Sequence, residues 1–291
     1  MARAFFHDYT SRCIYHITMT KAPGVPSFGH LTGTLPDVHI ELSPLGKIIA
    51  ANINNIPSLN PSIRVLKYIV MPDHLHMLLF VTYSLERPLG RYMGMFKVKT
   101  GQQYRERYHL DKPVFKEDFY DCILHRRRSL DAIFKYISDN PRRLAVRRER
   151  PEYFRRINEL KIGEKTYQAY GNFQLLDCPF KEQVVVHRAD SAEERERKLQ
   201  EWLYTASNGG VLVSPFISKA EREVRNEAEK SGGRFILVVN EPFEKRYKPT
   251  GHDFELCESG RLLIISANLP GEISRQSCLT MNTLAETIAK G

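Results

Sequence analysis

The first half of the chain alternates between segments with a strand pattern and segments with a helix pattern. Cys13–Thr20 is rich in residues that favour strands, and Asp37–Leu42 alternates between apolar and polar residues as a half-buried strand does. Two apolar runs, Val65–Val70 and His76–Val81, flank the turn-like segment Met71–Leu75 and predict two adjacent strands. Helices are predicted at residues 45–56, 85–108 and 129–139.

The second half predicts a parallel α/β arrangement. Ser191–Glu194 and Ser218–Glu221 match the capping box, in which a serine and a glutamate three residues later begin a helix. Buried strands are predicted at residues 209–215, 234–240 and 261–266. Because strands and helices follow one another in turn, this pattern predicts a parallel sheet with right-handed crossovers. We therefore expect two domains, residues 1–165 and a smaller one at 170–291, with a boundary within residues 162–177.

The composition of the 291-residue chain is that of a folded protein, with 42% hydrophobic and 26% charged residues. No apolar run reaches the roughly 18 residues of a membrane span, and the N-terminus lacks a signal-peptide core. A cytoplasmic protein without a membrane partner is therefore expected. The five cysteines are scattered and never form Cys-x-x-Cys, which argues against a disulfide framework and against a zinc knuckle.

Positive charge favours a polyanionic partner such as nucleic acid, because the formal net charge is +9. Within residues 142–156, seven arginines accompany two glutamates, too many for ion pairs along a helix to neutralise. A solvated helix face is the alternative interpretation of this run. The predicted DNA-binding residues are Arg126, Arg127, Arg128, Arg142, Arg143, Arg147 and Arg148.

The segment Met71–Leu79 contains two histidines separated by one residue, His74 and His76. On a strand, side chains alternate with period two, so both imidazoles project from one face and can share a metal ion. Two histidine ligands leave coordination positions open, as a catalytic metal requires. Histidines on the surface, or satisfied within a core, are the alternative explanation of this pair.

Tyr136 and Asn140 add a second element to this hypothesis. They are four residues apart on the predicted helix, so they lie on one face, and Pro141 is expected to end that helix at or near Asn140. A phenol can act as a nucleophile, and an amide oxygen can bind a hard metal ion. The alternatives are an ordinary core aromatic for Tyr136 and a helix C-terminal residue for Asn140.

Residues from about Cys13 to Tyr153 resemble the single-tyrosine HUH transposases, especially the REP-associated tyrosine transposases. HUH stands for His, hydrophobic residue, His, which His74-Leu-His76 matches. Val114–Asp121 is similar to the family's segment before the tyrosine helix, and Tyr136-Ile-Ser-Asp-Asn-Pro141 is similar to its Tyr-Ile-x-x-Asn-Pro signature. One departure is Asp73, where relatives usually have asparagine.

The resemblance implies an α+β, ferredoxin-like HUH nuclease domain, followed here by a smaller α/β Rossmann-like domain. It implies that Tyr136 is the nucleophile and that His74, His76 and Asn140 bind Mg²⁺ or Mn²⁺. The implied activity is cutting and rejoining single-stranded or hairpin DNA through a 5′-phosphotyrosine, in the bacterial cytoplasm and nucleoid, with a homodimer as one assembly. A noncatalytic, hairpin-binding regulator is the alternative function.

Gly209–Arg225 and Gly232–Val239 resemble the Rossmann-like core of the DprA and lysine-decarboxylase-like superfamily. A helix that begins at Ser218 after a glycine-led strand could bind a phosphate at its N-terminus. The alternative is that these glycines only form turns and that the domain only docks or dimerises, because the Gly-x-Gly-x-x-Gly fingerprint is incomplete.

Overall fold

A computed structural model describes residues 7–109, 112–124, 127–187, 189–245 and 247–291, without the side chains of residues 127–129. The chain divides into two compact units, Met1–Ala145 and Val146–Gly291, which are nearly equal in length. This division lies before the predicted boundary at residues 162–177, because two strands within residues 155–171 pair with the sheet of the second unit. The second unit is accordingly not the smaller one.

The first unit is built on a four-stranded antiparallel sheet in the order β4-β5-β1-β6. When the β2–β3 hairpin and the short α2 are left out, the elements up to β6 follow the order βαββαβ. If the four strands of the sheet are numbered 1 to 4 in chain order, they lie in the order 4-1-3-2 from β6 to β4. This topology confirms the ferredoxin-like prediction. The elements are β1 Cys13–Thr20, β2 Gly29–Thr32, β3 His39–Leu42, α1 Pro44–Asn54, α2 Ile56–Leu59, β4 Ile63–Val70, β5 His74–Val81, α3 Leu89–Tyr108, β6 Tyr120–Leu124 and α4 Arg127–Glu149.

The core of the first unit lies on one face of this sheet. Except for the partly buried Cys13, the odd-numbered residues of the two central strands are fully buried there and join apolar residues of α1 and α3. Because side chains alternate along a strand, the even-numbered residues of β1 and β5 lie on the opposite face. The buried strand residues are Tyr15, Ile17, Met19, Leu75, Met77, Leu79 and Val81.

Helix α4 does not end before Asn140 as predicted, because it runs from Arg127 to Glu149 with Pro141 inside it. Proline cannot donate the backbone hydrogen bond to the carbonyl four residues earlier, which normally weakens a helix interior. Here Asn140 and Pro141 are both buried, and Asn140 Nδ2 donates to the Tyr136 carbonyl oxygen at 2.7 Å. Tertiary packing therefore outweighs the local preference of proline.

The second unit contains a six-stranded sheet in the order β7-β8-β12-β11-β10-β9. Strands β9 to β12 are parallel, which confirms the prediction for β10, β11 and β12, and β8 and β7 continue the sheet in antiparallel pairing. Apolar residues of α5, α6 and α7 form one core cluster, and those of α8 form another. The elements are β7 Arg155–Ile162, β8 Lys165–Gly171, β9 Lys181–Gln183, α5 Ala192–Ser207, β10 Val211–Ser214, α6 Lys219–Lys230, β11 Arg234–Val239, α7 Gly251–Glu258, β12 Leu262–Ser266 and α8 Arg275–Lys290.

A search of the helices in the described residues finds none with both the length and the apolar character that a membrane crossing would require.

Two glycines in the helices of the first unit predict opposite effects on stability. A Cβ atom at Gly46 of α1 would lie 1.9 Å from the Phe28 carbonyl oxygen, whereas a Cβ at Gly94 of α3 would meet nothing within 4 Å. Gly46→Ala should lower the free energy of unfolding by about 1 to 3 kcal/mol through overpacking. Gly94→Ala should raise it by about 0.5 to 1 kcal/mol, because alanine favours a helix. Urea unfolding followed by circular dichroism measures both, and equal effects of the two variants would contradict the packing around Gly46.

Candidate active site

The face of the first sheet opposite its core carries a group of histidines. In the β1–β5 register, Thr18 lies directly opposite His76, and Thr20 lies opposite His74. His16, two residues before Thr18, is on the same face of β1. This register brings His16, Thr18, His74 and His76 together at the centre of the sheet. Sequence analysis selected the pair on β5 but not His16.

His76 is held by contacts to one of its two ring nitrogens. Its Nδ1 lies 2.9 Å from Thr18 Oγ1 and 3.1 Å from His16 Nε2. Its Nε2 is buried and, among the residues that the structure describes, has no hydrogen-bond partner. A buried polar atom without a partner is costly, so this nitrogen is a candidate metal ligand.

In His74, as in His76, the ring nitrogen that contacts a neighbouring side chain is Nδ1. Its Nδ1 lies 2.7 Å from Asp73 Oδ1, so the departure from the family pattern at Asp73 supplies a carboxylate beside this histidine. The rings of His74 and His76 are 4.8 Å apart between centroids. In both imidazoles the surrounding side chains contact Nδ1, which leaves Nε2 as the nitrogen available to an ion.

Burial keeps the inner imidazoles uncharged at neutral pH. It lowers the pKa of His16 to about 4. Burial, with further contributions from His74 and His16, lowers the pKa of His76 to about 2. Neutral imidazole is the form that binds metals, so the neutral state of His76 suits a metal ligand.

Tyr136 of α4 reaches this cluster. Its ring centroid is 5.4 Å from that of His76 and 6.1 Å from that of His16, and the residue is half-buried. Lys67 of β4 contacts Ser138 Oγ and lies 5.5 Å from the ring centroid of Phe134, so it joins the same helix to the sheet. The structure thus places the Tyr136 ring next to His76, one of the two predicted histidines, and next to His16.

Asn140, the third predicted metal ligand, lies one helical turn from Tyr136. Its Nδ2 donates a hydrogen bond to the Tyr136 carbonyl oxygen. Among the described residues, no hydrogen bond joins the Asn140 amide to His74 or His76. Within that same part of the chain, no group of three or more His, Cys, Asp or Glu residues is placed to hold a metal. Metal binding by His74, His76 and Asn140 therefore stays a prediction.

The predicted DNA-binding arginines differ in their surroundings. Arg142 pairs with Asp139 at 2.6 Å. Arg143 is buried, with its guanidinium 5.3 Å from the ring centroid of Tyr136, so it lies beside the phenol. Arg147 is half-buried and Arg148 is exposed. Arg126 lies outside the described residues, and the side chains of Arg127 and Arg128 are not described.

The structure of the second unit disfavours the phosphate site at Ser218. Ser218 Oγ accepts from the Glu221 backbone N–H, and the Glu221 carboxylate accepts from the Ser218 N–H. This capping box uses N–H groups that an anion would need, and Glu221 is an acid in the first turn. Gly210 and Gly233 lie where a Cβ would come within 3.0 Å of backbone carbonyl oxygens. At this position the glycines serve close packing and turns.

Residues 51–140 match the family model described as Transposase IS200 like. This segment contains His74, His76 and Tyr136, and it ends at Asn140. An uncharacterized protein of Haemophilus influenzae is 22% identical to this chain over 155 residues, which are 46% of this chain and 83% of that protein. The family match confirms, for this segment, the resemblance that the motifs predict.

Two solved structures are similar over about half of the chain, each at 14% sequence identity. One is described as a REP-associated tyrosine transposase bound to a REP hairpin, with a TM-score of 0.35 over 50% of this chain and 74% of that chain. The other is a protein of Deinococcus radiodurans R1 assigned as a transposase, with a TM-score of 0.31 over 48% of this chain and 97% of that chain.

The buried histidines predict that the metal-free protein loses stability in mild acid. The usual pKa of histidine, 6.5, applies to the unfolded chain, so below that pH the unfolded state binds protons that the folded state does not. Stability is therefore complete above about pH 6.5 and falls as the pH decreases, by up to about 1.4 kcal/mol per pH unit for each histidine. Urea unfolding in EDTA at pH 7 and pH 5 measures this loss. The loss should be smaller in His16→Gln, and an equal loss in the variant would contradict the assignment.

Proposed function

We propose that this chain, whose residues 51–140 match the family model described as Transposase IS200 like, is a metal-dependent endonuclease and strand transferase for single-stranded DNA. Its substrate is hairpin or palindromic DNA, and the reaction passes through a 5′-phosphotyrosine on Tyr136. One observation carries the proposal: the Tyr136 ring, from α4, lies against the imidazole of His76, from the centre of the sheet. A nucleophile and metal-binding side chains therefore lie close enough together to act on one phosphodiester.

Tyr136 supplies the nucleophile in this reaction. The phenol oxygen attacks the phosphorus, the bond from phosphorus to the 3′ oxygen breaks, and the proton lost by the phenol is balanced by the proton gained by the leaving 3′ oxygen. The DNA 5′ end is then joined to Tyr136, and a 3′-OH is free. Attack of a 3′-OH on the phosphotyrosine reverses the step and reseals a strand. No nucleotide is consumed, because the phosphotyrosine conserves the phosphodiester bond.

His74 and His76 would hold the metal ion, Mg²⁺ or Mn²⁺, with Asn140 as the proposed third ligand. When bound, the ion supplies Lewis-acid chemistry by offsetting the negative charge of the phosphate that is attacked. The neutral state of His76 and the partnerless Nε2 atom support this role. Imidazole nitrogens suit Mn²⁺ better than Mg²⁺, which prefers oxygen ligands.

Arg143 supports the placement of the nucleophile. Its guanidinium lies over the Tyr136 ring, two helical turns along α4, in a geometry typical of cation–π contacts. The positive net charge of the chain favours the approach of DNA, and Arg148 is exposed to meet phosphates. Assembly as a homodimer belongs to the same proposal and follows from the resemblance alone.

Adduct formation tests the nucleophile. A 3′-labelled hairpin oligonucleotide incubated with the protein and Mn²⁺ should yield an adduct that survives SDS and carries the 5′ end of the cleaved product. Tyr136→Phe should abolish the adduct, because it removes only the attacking oxygen. Tyr83→Phe is the matched control, since Tyr83 is 76% exposed and lies outside the site.

The alternative function, a noncatalytic regulator that binds hairpin DNA, predicts the opposite result in the same assay. Binding of the hairpin without any adduct, across Mn²⁺ and Mg²⁺, would leave only the noncatalytic function. An adduct that persists in Tyr136→Phe would assign the nucleophile to another residue.

Metal binding should stabilise the protein through His76. A ligand that binds only the folded state raises the melting temperature, and the increase grows with the logarithm of the ligand concentration relative to its dissociation constant. We expect Mn²⁺ to raise the melting temperature more than the same concentration of Mg²⁺, and His76→Ala to remove the increase. His39→Ala, an exposed histidine of the β2–β3 hairpin, is the control. Equal increases in the wild type and in His76→Ala would place the ion elsewhere.

A further inference from the structure

A third imidazole, that of His16, lies against both His76 and Tyr136. Its Nε2 is 3.1 Å from His76 Nδ1, and the two rings stack with centroids 5.0 Å apart and an interplanar angle of 30°. The ring centroids of His16 and Tyr136 are 6.1 Å apart with an interplanar angle of 78°, and His16 is 9% exposed. None of the roles assigned so far, to nucleophile, metal ligands or DNA contacts, includes this histidine.

We propose that His16 is a positioning residue that fixes the tautomer and the ring plane of His76, so that Nε2 of His76 presents its lone pair to the metal. This inference rests on the metal site of the proposed function. His16 would contact the metal ligand His76 but would not bind the metal itself.

The hydrogen bond between the two imidazoles carries the argument for the tautomer. A hydrogen bond between two neutral imidazoles needs one N–H donor and one unprotonated acceptor. A metal on Nε2 of His76 requires the proton of that ring to be on Nδ1, which makes His76 the donor and His16 Nε2 the acceptor. Metal binding and acceptance by His16 therefore favour each other.

Thr18, the other neighbour of His76 Nδ1, cannot make this selection. Its hydroxyl lies 2.9 Å from Nδ1, but a hydroxyl can either donate or accept, so it tolerates both tautomers of His76. With its proton on Nδ1, His16 can only accept at Nε2. In that tautomer His16 admits only the metal-binding tautomer of His76, a selection that the hydroxyl of Thr18 does not make.

The packing around His16 supports the second part of the role, the orientation of the ring. The β1–β5 register fixes the separation of the two backbones, and the stacked arrangement restricts rotation of the His76 ring. His16 also touches the Tyr136 ring, so one side chain adjoins both the proposed ligand and the proposed nucleophile. Precise ligand orientation by surrounding groups raises the affinity of metal sites.

The wild-type protein gives the first test. Nitrogen-15 NMR of histidine-labelled, metal-free protein at pH 7 distinguishes the two tautomers of neutral imidazole. The proposal predicts that the His76 proton is on Nδ1. A His76 proton on Nε2 would overturn the proposal without recourse to any variant.

Variants of His16 give the second test, with Mn²⁺ affinity measured by calorimetry. His16→Leu keeps the volume but cannot accept, and it should weaken Mn²⁺ binding by roughly 10- to 100-fold, as removal of an outer partner of a metal ligand typically does. His16→Gln should weaken binding less than His16→Leu, because its Oε1 can accept from His76 Nδ1. His39→Leu makes the same chemical change at an exposed strand position and should bind as the wild type does.

The outcomes separate this inference from the proposed function. A wild-type protein that binds no Mn²⁺ and forms no adduct refutes the proposed function. A wild-type protein that binds Mn²⁺, together with a folded His16→Leu variant of equal affinity, refutes only the role of His16. If His16→Leu does not fold, two measurements still test the role of His16. These are the Mn²⁺ affinity of His16→Gln relative to the wild type and the tautomer of His76 in the wild-type protein.

Discussion

The alternation of side chains along two paired strands is the constraint on which the candidate site depends. Odd-numbered residues of β1 and β5, such as Ile17 and Met77, are fully buried in the core, and this fixes the faces of both strands. Even-numbered residues must then occupy the opposite face, where His16 and His76 meet. A shift of either strand by one residue would exchange the two sets, so the hydrophobic core and the histidine cluster specify the same register.

Helix α4 completes the site by bringing a distant part of the chain to that face. Lys67 contacts two of its residues from β4, and the Tyr136 ring contacts the histidines. Its continuation through Pro141 keeps Tyr136 and Arg143 on one uninterrupted helix. The arrangement brings together a phenol, a cation beside it and neutral imidazoles, which are the groups that the proposed metal-dependent attack on a phosphodiester would use.

The sequence was sufficient to predict much of the first unit. Strand-favouring residues predicted β1 and an apolar run predicted most of β5, and period-two spacing along a strand placed His74 and His76 on one face. It could not reveal His16, because which strands pair, and in what register, depends on contacts distant in sequence. The end of α4 was mispredicted for a related reason, since burial of Asn140 and Pro141 outweighs a local rule. In the second unit, the capping boxes at Ser191 and Ser218 were confirmed, while the pairing of β7 and β8 with its sheet was not foreseen.

In the proposed site, the Nε2 atoms of His74 and His76 bind one divalent ion beside Tyr136. A crystal structure of the protein soaked with Mn²⁺, with data collected to locate the anomalous signal of manganese, tests this site. The expected result is one strong peak at about 2.1 to 2.3 Å from both Nε2 atoms, next to the Tyr136 side chain. A peak elsewhere, or bound manganese that contacts neither imidazole, would contradict it.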